Sequence, residues 1–441
     1  MNTQITFTYK DSCLLSTQEL EAVATQLKPE LERIATAVGS GYDSDYASIN
    51  LPYDAALLAT VERVIAEKKQ LNPTMLVVVG IGGSNLGTAA VQQALYGSFY
   101  NQQNPETSIY FADTIDEDHL ADIIKLMESQ LARKHKVLLN VISKSGSTTE
   151  TIANFELLFA IVKKYVVDPH ECVVVTTDAQ SPLWHLAQRE NFTCLEIPKK
   201  VGGRYSVFSA VGLFPLGFIG IDIGQLLAGA RAALKQMSVQ AAFFDNPAAV
   251  SAAILYTHAQ RGKTIHDSFL FSVDFENLGK WYRQLMAESL GKEYDRMGKQ
   301  MYTGITPTVS IGTTDLHSVA QLYLGGPYDK MSSLITLDRM NSQLAVPNYP
   351  AYDALVGHIQ GVPFAHIMDA IVQGVQRAYN VGNRPYVRWQ LSEKSAWCLG
   401  QLLQYKMGEI MYLGFLLGIN PFDQPNVESY KQETRKILAH D

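Results

Sequence analysis

Cysteine is scarce in this chain of 441 residues, and the few that occur are dispersed along it. They are Cys13, Cys172, Cys194 and Cys398, and no two of them form a Cys-x-x-Cys pair. Dispersed cysteines in a large chain favour a reducing compartment and exclude both a disulfide framework and a cysteine-based zinc site. We therefore expect a cytoplasmic protein that is held together by its apolar core.

Runs of lysine and arginine are also absent, and the 36 basic residues are outnumbered by 43 acidic ones. Binding to the phosphate backbone of DNA or RNA needs a basic face, so a nucleic-acid partner is excluded. A local pocket can still be positive on an acidic protein. A small anionic substrate therefore remains compatible with this composition.

Two further patterns are missing. The histidines His258, His266, His358 and His366 form no His-x-x-x-His pair and have no cluster of ligands near them, so we assign no metal site. The first residues, MNTQITFTYKDS, lack the basic-then-apolar pattern of a signal peptide. Residues 209–230 are apolar but contain proline and aspartate, so they indicate a buried helix or a pair of short helices and no membrane partner.

The most informative stretch of the chain lies at residues 137–162. The apolar run 137–142 predicts a buried strand, the run SKSGSTT at 143–149 predicts a turn, and apolar residues at helical spacing follow. The N-terminus of a helix offers free N–H groups and a positive dipole to a phosphate. Serine, threonine and glycine are also ordinary turn and capping residues, so the turn alone leaves a purely structural role open.

Strands alternate with helices along most of the chain, which predicts an α/β fold. A strand from Met75 leads into the glycine loop GIGGS at 80–84, and later strands are predicted at 268–275 and from residue 307. The two halves share one strand–turn–helix plan. We expect two doubly wound parallel-sheet domains, each with three α-β-α layers, and peripheral helices. The predicted boundaries are a helical segment at 1–50, a first domain at 51–208, a helical connection with a second domain at 209–420, and a C-terminal helix at 421–441 that completes the active site.

Several charged residues stand where chemistry could use them. Arg204 follows two glycines, where it suits an anion clamp better than a helix cap, although a solvated arginine is the alternative. Gln284 and Glu288 are four residues apart on a predicted helix and therefore neighbours. Glu288 could act as a general base, but a solvated surface glutamate, or one paired with Lys292, is favoured by spacing alone.

Three more candidates lie in the last third of the chain. His317 follows a Thr-Thr-Asp turn at the end of a predicted strand, where ligands of doubly wound sheets bind. Gln424 and Lys431 are seven residues apart, which is two turns of one helix face. A structural histidine and an ordinary solvated lysine are the alternatives.

Six motifs in this order resemble the glucose-6-phosphate isomerase family in its compact bacterial form. They are GIGGS at 80–84, SKSGSTTET at 143–151, GGRYS at 202–206, QLMAESLGK at 284–292, DLHS at 315–318 and FDQPNVESYK at 422–431. The resemblance implies two sugar-isomerase (SIS) domains and a homodimer with a shared active site. It also implies a sugar-phosphate substrate, no metal and no cofactor, and a place in glycolysis and gluconeogenesis.

The resemblance also implies roles for individual residues. Glu288 would move a proton between C1 and C2, Arg204 would stabilise the cis-enediolate, and His317 (from the partner subunit) and Lys431 would assist ring opening. The substrate would be held by the remaining motif residues, which are Gly83, Ser84, Ser143, Lys144, Ser145, Thr148, Gly203, Gln284 and Gln424. Two alternatives stay open at this point: a related isomerase that also accepts mannose 6-phosphate, and a SIS-type sugar-phosphate sensor without catalysis.

Overall fold

A computed structural model describes residues 4–237 and 242–440 of the chain. Its first sheet has five strands, all parallel, in the spatial order β3-β2-β4-β5-β6. The strands are β2 (Pro73–Val79), β3 (Ser108–Ala112), β4 (Lys136–Ile142), β5 (Val173–Thr177) and β6 (Thr193–Glu196).

Helices cover both faces of this sheet, which explains why its central strands are continuous apolar runs. Val77 and Leu139 point into a core formed with the helices on one face, while Leu76 and Leu138 point into the core on the other. The helices around this sheet are α2 (Ala55–Lys69), α3 (Leu86–Tyr96), α4 (Glu117–Ala132), α5 (Thr149–Tyr165) and α6 (Pro182–Arg189). The predicted three-layer arrangement is confirmed in this half.

The second sheet has the order β1-β12-β11-β7-β10, in which β1 alone is antiparallel. Its strands are β1 (Ile5–Thr8), β7 (Ile265–Leu270), β10 (Thr306–Ile311), β11 (Lys330–Leu337) and β12 (Tyr386–Leu391). Strands β2, β3, β4 and β5 of the first sheet occupy the same relative places as β7, β10, β11 and β12 here. The two halves therefore do share one topological plan.

Two segments differ from the sequence-based expectation. Residues 1–50 were expected to be helical, and α1 (Thr17–Ala37) is, but β1 joins the second sheet by pairing Ile5 with Leu391. A four-residue strand is too short for a periodic signal, and its partner lies at the far end of the chain. The strand predicted at 268–275 ends at Leu270 and is followed by a 3₁₀ turn, Val273–Phe275, which leads into α10 (Glu276–Leu290).

Buried helices join the two sheets. These helices are α7 (Ala210–Phe218), α8 (Ile223–Gln236), α9 (Pro247–Gln260) and α13 (Ala396–Leu416). Residues 209–230 form α7 and the first part of α8, as the pattern predicted. Helix α8 packs closely on α13 because glycines stand at the crossing. A Cβ at Gly229 would lie 1.9 Å from the carbonyl oxygen of Trp397, so only glycine fits there.

The remaining elements lie at the periphery. They are β8 (Lys292–Tyr294) and β9 (Gln300–Thr303), which form a hairpin, and the helices α11 (Ala320–Gly325), α12 (Phe364–Val381) and α14 (Val427–His440). Within the two described ranges, no helix combines the length and the apolar character that crossing a bilayer requires.

A buried histidine in α9 makes the stability of this fold depend on pH. The Nε2 atom of His258 lies 2.7 Å from the carbonyl oxygen of Cys13, and burial lowers the pKa of His258 to about 4. Because the unfolded chain binds a proton near pH 6.5 and the folded chain does not, His258 contributes stability above that pH. The contribution is lost as the pH falls from 6.5 to about 4.

We predict that the unfolding free energy falls by about 3 kcal/mol between pH 7 and pH 4 through His258 alone. Glutamine can donate to the Cys13 carbonyl but does not titrate, so His258→Gln should flatten this dependence by a similar amount. Urea unfolding of both proteins at a series of pH values measures the difference. Parallel pH curves for the two proteins would contradict the prediction.

Candidate active site

The carboxyl ends of β2 and β4 meet at one edge of the first sheet, where the order of the strands reverses. The close approach is visible at Gly80, because a Cβ there would lie 2.8 Å from both the Ile142 carbonyl oxygen and the Ser84 Cβ. The loop that carries Ser84 therefore lies against the end of the strand that leads into the serine-rich turn. Ligands of doubly wound sheets bind at such a point.

The turn at 143–149 is closed by its own first serine. The buried Ser143 hydroxyl lies 2.9 Å from the Thr148 hydroxyl and accepts a hydrogen bond from the Gly146 N–H at 3.1 Å. Gly146 has a φ of +67°, and a Cβ there would lie 2.6 Å from the Ser181 hydroxyl. The Ser143 hydroxyl is thus used inside the turn, while Ser145 stays exposed.

The N-terminus of α5 has no side-chain cap. Thr148 is the N-cap residue, yet its hydroxyl contacts Ser143 and none of the first backbone N–H groups of the helix. Those N–H groups carry the positive end of the dipole of a 17-residue helix. Burial lowers the pKa of the neighbouring Lys144; Asp178 opposes this effect, and the positive charges of Lys200 and Arg204 add to it.

The glycine loop of β2 touches the loop that carries Arg204. A Cβ at Gly83 would lie 2.2 Å from the Gly203 carbonyl carbon and 2.7 Å from the Arg204 nitrogen, so Gly83 must be glycine. The Ser206 hydroxyl donates to the Gly83 carbonyl at 3.3 Å. These backbone contacts place Arg204 beside Ser84 with little freedom to move.

Arg204 is 2% exposed and binds two distant segments of the chain, the end of α10 and the turn at 421–424. Its Nε donates to the Ser289 hydroxyl at 2.7 Å, and its Nη1 donates to Glu288 Oε2 at 3.2 Å and to Gln424 Oε1 at 2.7 Å. Its Nη2 donates to the carbonyl oxygens of Pro421 and Asp423, at 2.7 and 2.9 Å. The arginine is therefore not the solvated side chain of the alternative interpretation.

Glu288 is half-buried and is not the solvated surface glutamate of the alternative interpretation. Its carboxylate accepts from Arg204 and, at 3.3 Å, from Gln284 Nε2, and its side chain is 31% exposed. Lys292 contacts the backbone carbonyl of Glu288 and leaves the carboxylate free, so the predicted alternative pair is not formed. The buried Gln284 Oε1 has no hydrogen-bond partner among the described residues. A polar ligand could donate hydrogen bonds to the Glu288 carboxylate and to Gln284 Oε1.

The structure brings most of the predicted site residues together. A chain of contacts runs from the serine-rich turn through the glycine loop to Arg204, and from there to the end of α10 and the 421–424 turn. Its members from the predicted set are Gly83, Ser84, Ser143, Lys144, Ser145, Thr148, Gly203, Arg204, Gln284, Glu288 and Gln424.

Two predicted residues lie apart from this cluster within the chain. His317 is exposed at the end of the 3₁₀ turn Thr314–Leu316, and its imidazole bonds to none of the described residues. Lys431 lies on α14 and pairs with Glu428 at 3.0 Å. Neither side chain reaches Arg204 or Glu288 within the chain, because His317 follows β10 in the second sheet and Lys431 lies on the peripheral helix α14.

Other residues of the site were missed by sequence reasoning. Ser289 and the carbonyl oxygens of Pro421 and Asp423 bind Arg204. Backbone carbonyls leave no signal in a sequence, and Ser289 is indicated only by its place in the motif around Glu288. Spacing predicts Lys292 as a possible partner of the Glu288 carboxylate, but it binds the backbone carbonyl at the end of α10 instead. No three His, Cys, Asp or Glu side chains lie close enough to hold a metal ion in residues 4–237 and 242–440.

This fold, with two parallel-sheet halves and a buried guanidinium that binds a carboxylate, defines an α/β protein of the three-layer α-β-α type. The tagatose-6-phosphate ketose/aldose isomerase of Escherichia coli has the same kind of fold at a TM-score of 0.51 and 13% identity, with 86% of this chain and 95% of that chain covered.

The family comparison is more specific. The phosphoglucose isomerase family profile matches residues 67–441. The chain is 34% identical to the glucose-6-phosphate isomerase of Rubrobacter xylanophilus, with 95% of this chain and 94% of the relative covered. It is 33% identical to that of Carboxydothermus hydrogenoformans, with 89% and 84% covered. The chain belongs to the phosphoglucose isomerase family.

Solved structures share the fold over nearly the whole chain. The hypothetical protein TT0462 of Thermus thermophilus superposes with a TM-score of 0.87 at 30% identity, covering 99% of this chain and all of that one. A glucose-6-phosphate isomerase of Chlamydia trachomatis shares the fold with a TM-score of 0.80 at 22% identity, covering 99% of this chain and 88% of that one.

The contact between Gly83 and Gly203 predicts a strong substitution effect. In Gly83→Ala the new methyl group would meet backbone atoms, which cannot move aside as the end of a side chain can, so we expect a loss of about 1–3 kcal/mol in unfolding free energy. Urea unfolding measures the loss. Gly374 is a matched control because it is exposed in α12 with open space around it, so Gly374→Ala should stabilise the protein by about 0.5–1 kcal/mol. Equal effects of the two substitutions would contradict the role of the close approach.

Proposed function

We propose that this protein interconverts glucose 6-phosphate and fructose 6-phosphate by an aldose–ketose isomerisation. The observation that carries the proposal is the half-buried Glu288 carboxylate, which accepts hydrogen bonds from the buried Arg204 and from Gln284. The names of the relatives support the substrates. We place this reaction in glycolysis and gluconeogenesis and the protein in the cytoplasm.

The chemistry assigns one proton transfer to Glu288. In the open-chain aldose, Glu288 takes the proton from C2, which lies beside the C1 carbonyl, and an enediolate forms. Glu288 then returns a proton to C1, and the C2 oxygen becomes the ketone. Two protons change position: one passes from C2 to C1 by way of Glu288, and the other passes from the C2 hydroxyl to the C1 oxygen. The atoms therefore balance, and no oxidant or reductant is consumed.

Arg204 supplies the charge that this intermediate needs. An enediolate carries a full negative charge on oxygen, and a fixed cation in a partly dry site stabilises such a charge much better than water does. Arg204 is fixed because its hydrogen bonds to Ser289, Pro421 and Asp423 hold the guanidinium plane. Little reorganisation is then required during the reaction.

The phosphate group would bind at the N-terminus of α5. Lys144, Ser145, Thr148 and the free N–H groups of the helix can hold it, and Ser84 lies at the same edge of the sheet. This anchor is remote from C1 and C2, so its binding energy can be used to position the reacting carbons over Glu288. A sugar-phosphate sensor would need this anchor as well, but it would not need a base beside a buried cation.

We also propose a homodimer in which each active site takes His317 from the partner subunit. Within one chain His317 is exposed and contacts none of the other candidate residues, although it lies at the carboxyl end of a strand. The helix α14 exposes the apolar side chains of Tyr430, Ile437 and Leu438, which a second chain could cover. His317 and Lys431 would then assist ring opening by proton transfer at the ring oxygen.

The first test is turnover. The purified protein is offered fructose 6-phosphate, and glucose 6-phosphate is coupled to a dehydrogenase; absence of turnover would remove the isomerase proposal. Mannose 6-phosphate offered in the same assay decides whether the enzyme is strict at C2.

The second test is the variant Glu288→Gln. It should lower kcat by about 10²–10⁴-fold, the usual contribution of a general base, and retain substrate binding measured by calorimetry. Glu276→Gln is the matched control because Glu276 lies in the first turn of the same helix and pairs with the half-exposed Lys280.

The shared site is tested by mixed dimers of two inactive variants. Chains carrying Glu288→Gln and chains carrying His317→Asn receive different affinity tags, are expressed together and are purified through both tags. If the sites are shared, one site of the mixed dimer combines two intact residues, so about half of the wild-type activity per dimer should return. If both residues of a site come from one chain, each site keeps one lesion, and the mixed dimer should be as inactive as its parents.

A further inference from the structure

A second buried cation, Lys292, lies behind the end of α10 that carries Glu288. Its side chain is 4% exposed. Its Nζ donates to the Glu288 carbonyl oxygen at 2.8 Å and to the Asp423 carbonyl oxygen at 2.5 Å, and it lies 3.2 Å from Asp423 Oδ1. The ammonium group thus joins the catalytic helix to the turn before α14.

The hydrogen bond from Lys292 gives the Glu288 carbonyl oxygen a donor that the helix itself does not supply. α10 ends at Leu290, and the Gly291 N–H already donates to the Ala287 carbonyl. The Glu288 carbonyl is therefore among the last four of the helix, which lack intrahelical donors. A lysine side chain can supply the missing donor, and here it also fixes the peptide plane of the residue that carries the base.

The contact with Asp423 links Lys292 to Arg204. The Asp423 carbonyl oxygen accepts from Arg204 Nη2 at 2.9 Å as well as from Lys292. A closed ring of contacts results, which runs from the Glu288 carboxylate to Arg204, to Asp423, to Lys292 and back to the Glu288 carbonyl. Because the ring holds both ends of Glu288, movement of the 421–424 turn is transmitted to the carboxylate.

Burying this ammonium group removes it from water, which is costly for a charged group. Burial lowers the pKa of Lys292, the positive charge of Arg204 lowers it further, and Asp423 and Glu288 act in the opposite direction. An apolar residue of similar length would avoid this penalty. A purely structural link between a helix end and a turn does not require a second cation beside Arg204.

We infer that Lys292 is a positioning residue for the isomerisation, which holds the Glu288 carboxylate at the height and angle required to reach both C1 and C2. The inference rests on the proposed isomerase activity and on Glu288 as its base. Lys292 has no contact with the substrate in this role. It acts by fixing the backbone of Glu288 against the turn that also presents Gln424.

The test is the variant Lys292→Met, which keeps the length of the side chain and removes its charge and its donors. A base displaced by about 1 Å loses on the order of 10²-fold in rate, so kcat should fall about that much while KM changes less than about threefold. Proton transfer should become the slowest step, so the deuterium isotope effect on kcat with glucose 6-phosphate labelled at C2 should rise. A merely structural role would lower the fraction of active protein and leave the isotope effect of the active molecules unchanged.

Three controls complete the experiment. Lys292→Arg keeps the charge and the donors and should recover most of kcat. Lys280→Met removes a half-exposed lysine from the same helix and should leave kcat and the isotope effect at wild-type values. If Lys292→Met folds poorly, Asp423→Asn removes only the half-exposed carboxylate partner and should show a smaller rise in the isotope effect.

The outcomes separate the two proposals. An inactive wild-type protein would overturn the proposed function. An active wild type with an unchanged isotope effect in both Lys292→Met and Asp423→Asn would overturn the role of Lys292 and leave the isomerase activity intact.

Discussion

The candidate site depends on one buried guanidinium. Arg204 makes five hydrogen bonds to Ser289, Glu288, Gln424, Pro421 and Asp423, and these partners stand 84 to 220 residues away in the chain. A buried cation is stable only when its donors are nearly all satisfied. The guanidinium therefore dictates how the end of α10 and the 421–424 turn meet, and it binds the half-buried Glu288 carboxylate.

The apolar framework makes this polar cluster possible. The parallel strands of the first sheet are buried on both faces, so polar side chains can converge only beyond their carboxyl ends. Glycine at positions 80 and 83 lets two loops approach within backbone contact there, which brings Ser84 and Arg204 to the same place. The site is thus rigid because main chain packs on main chain, and this packing fixes the positions of the side chains.

The two sheets repeat one topology but contribute differently. The first supplies the serine-rich turn at its switch point between β2 and β4. The second is followed by α10, which carries Glu288, after β7 and by the exposed imidazole of His317 after β10. The two copies of the plan thus contribute different groups to the candidate site, hydroxyls from the first and a carboxylate and an imidazole from the second.

The sequence predicted the turn at 143–149 and the strands at 137–142, from Met75 and from residue 307, because periodicity and turn chemistry are local properties that the chain carries within about ten residues. It also indicated Glu288 and Arg204 as members of recognisable motifs. It did not predict β11 or β12, which form the middle of the second sheet. It did not determine that β1 closes the second sheet, that the Ser143 hydroxyl is consumed inside its own turn, or that Lys292 binds carbonyl oxygens rather than the Glu288 carboxylate. Only the tertiary structure decided these points, because each depends on which groups from distant segments compete for the same buried hydrogen-bond partner.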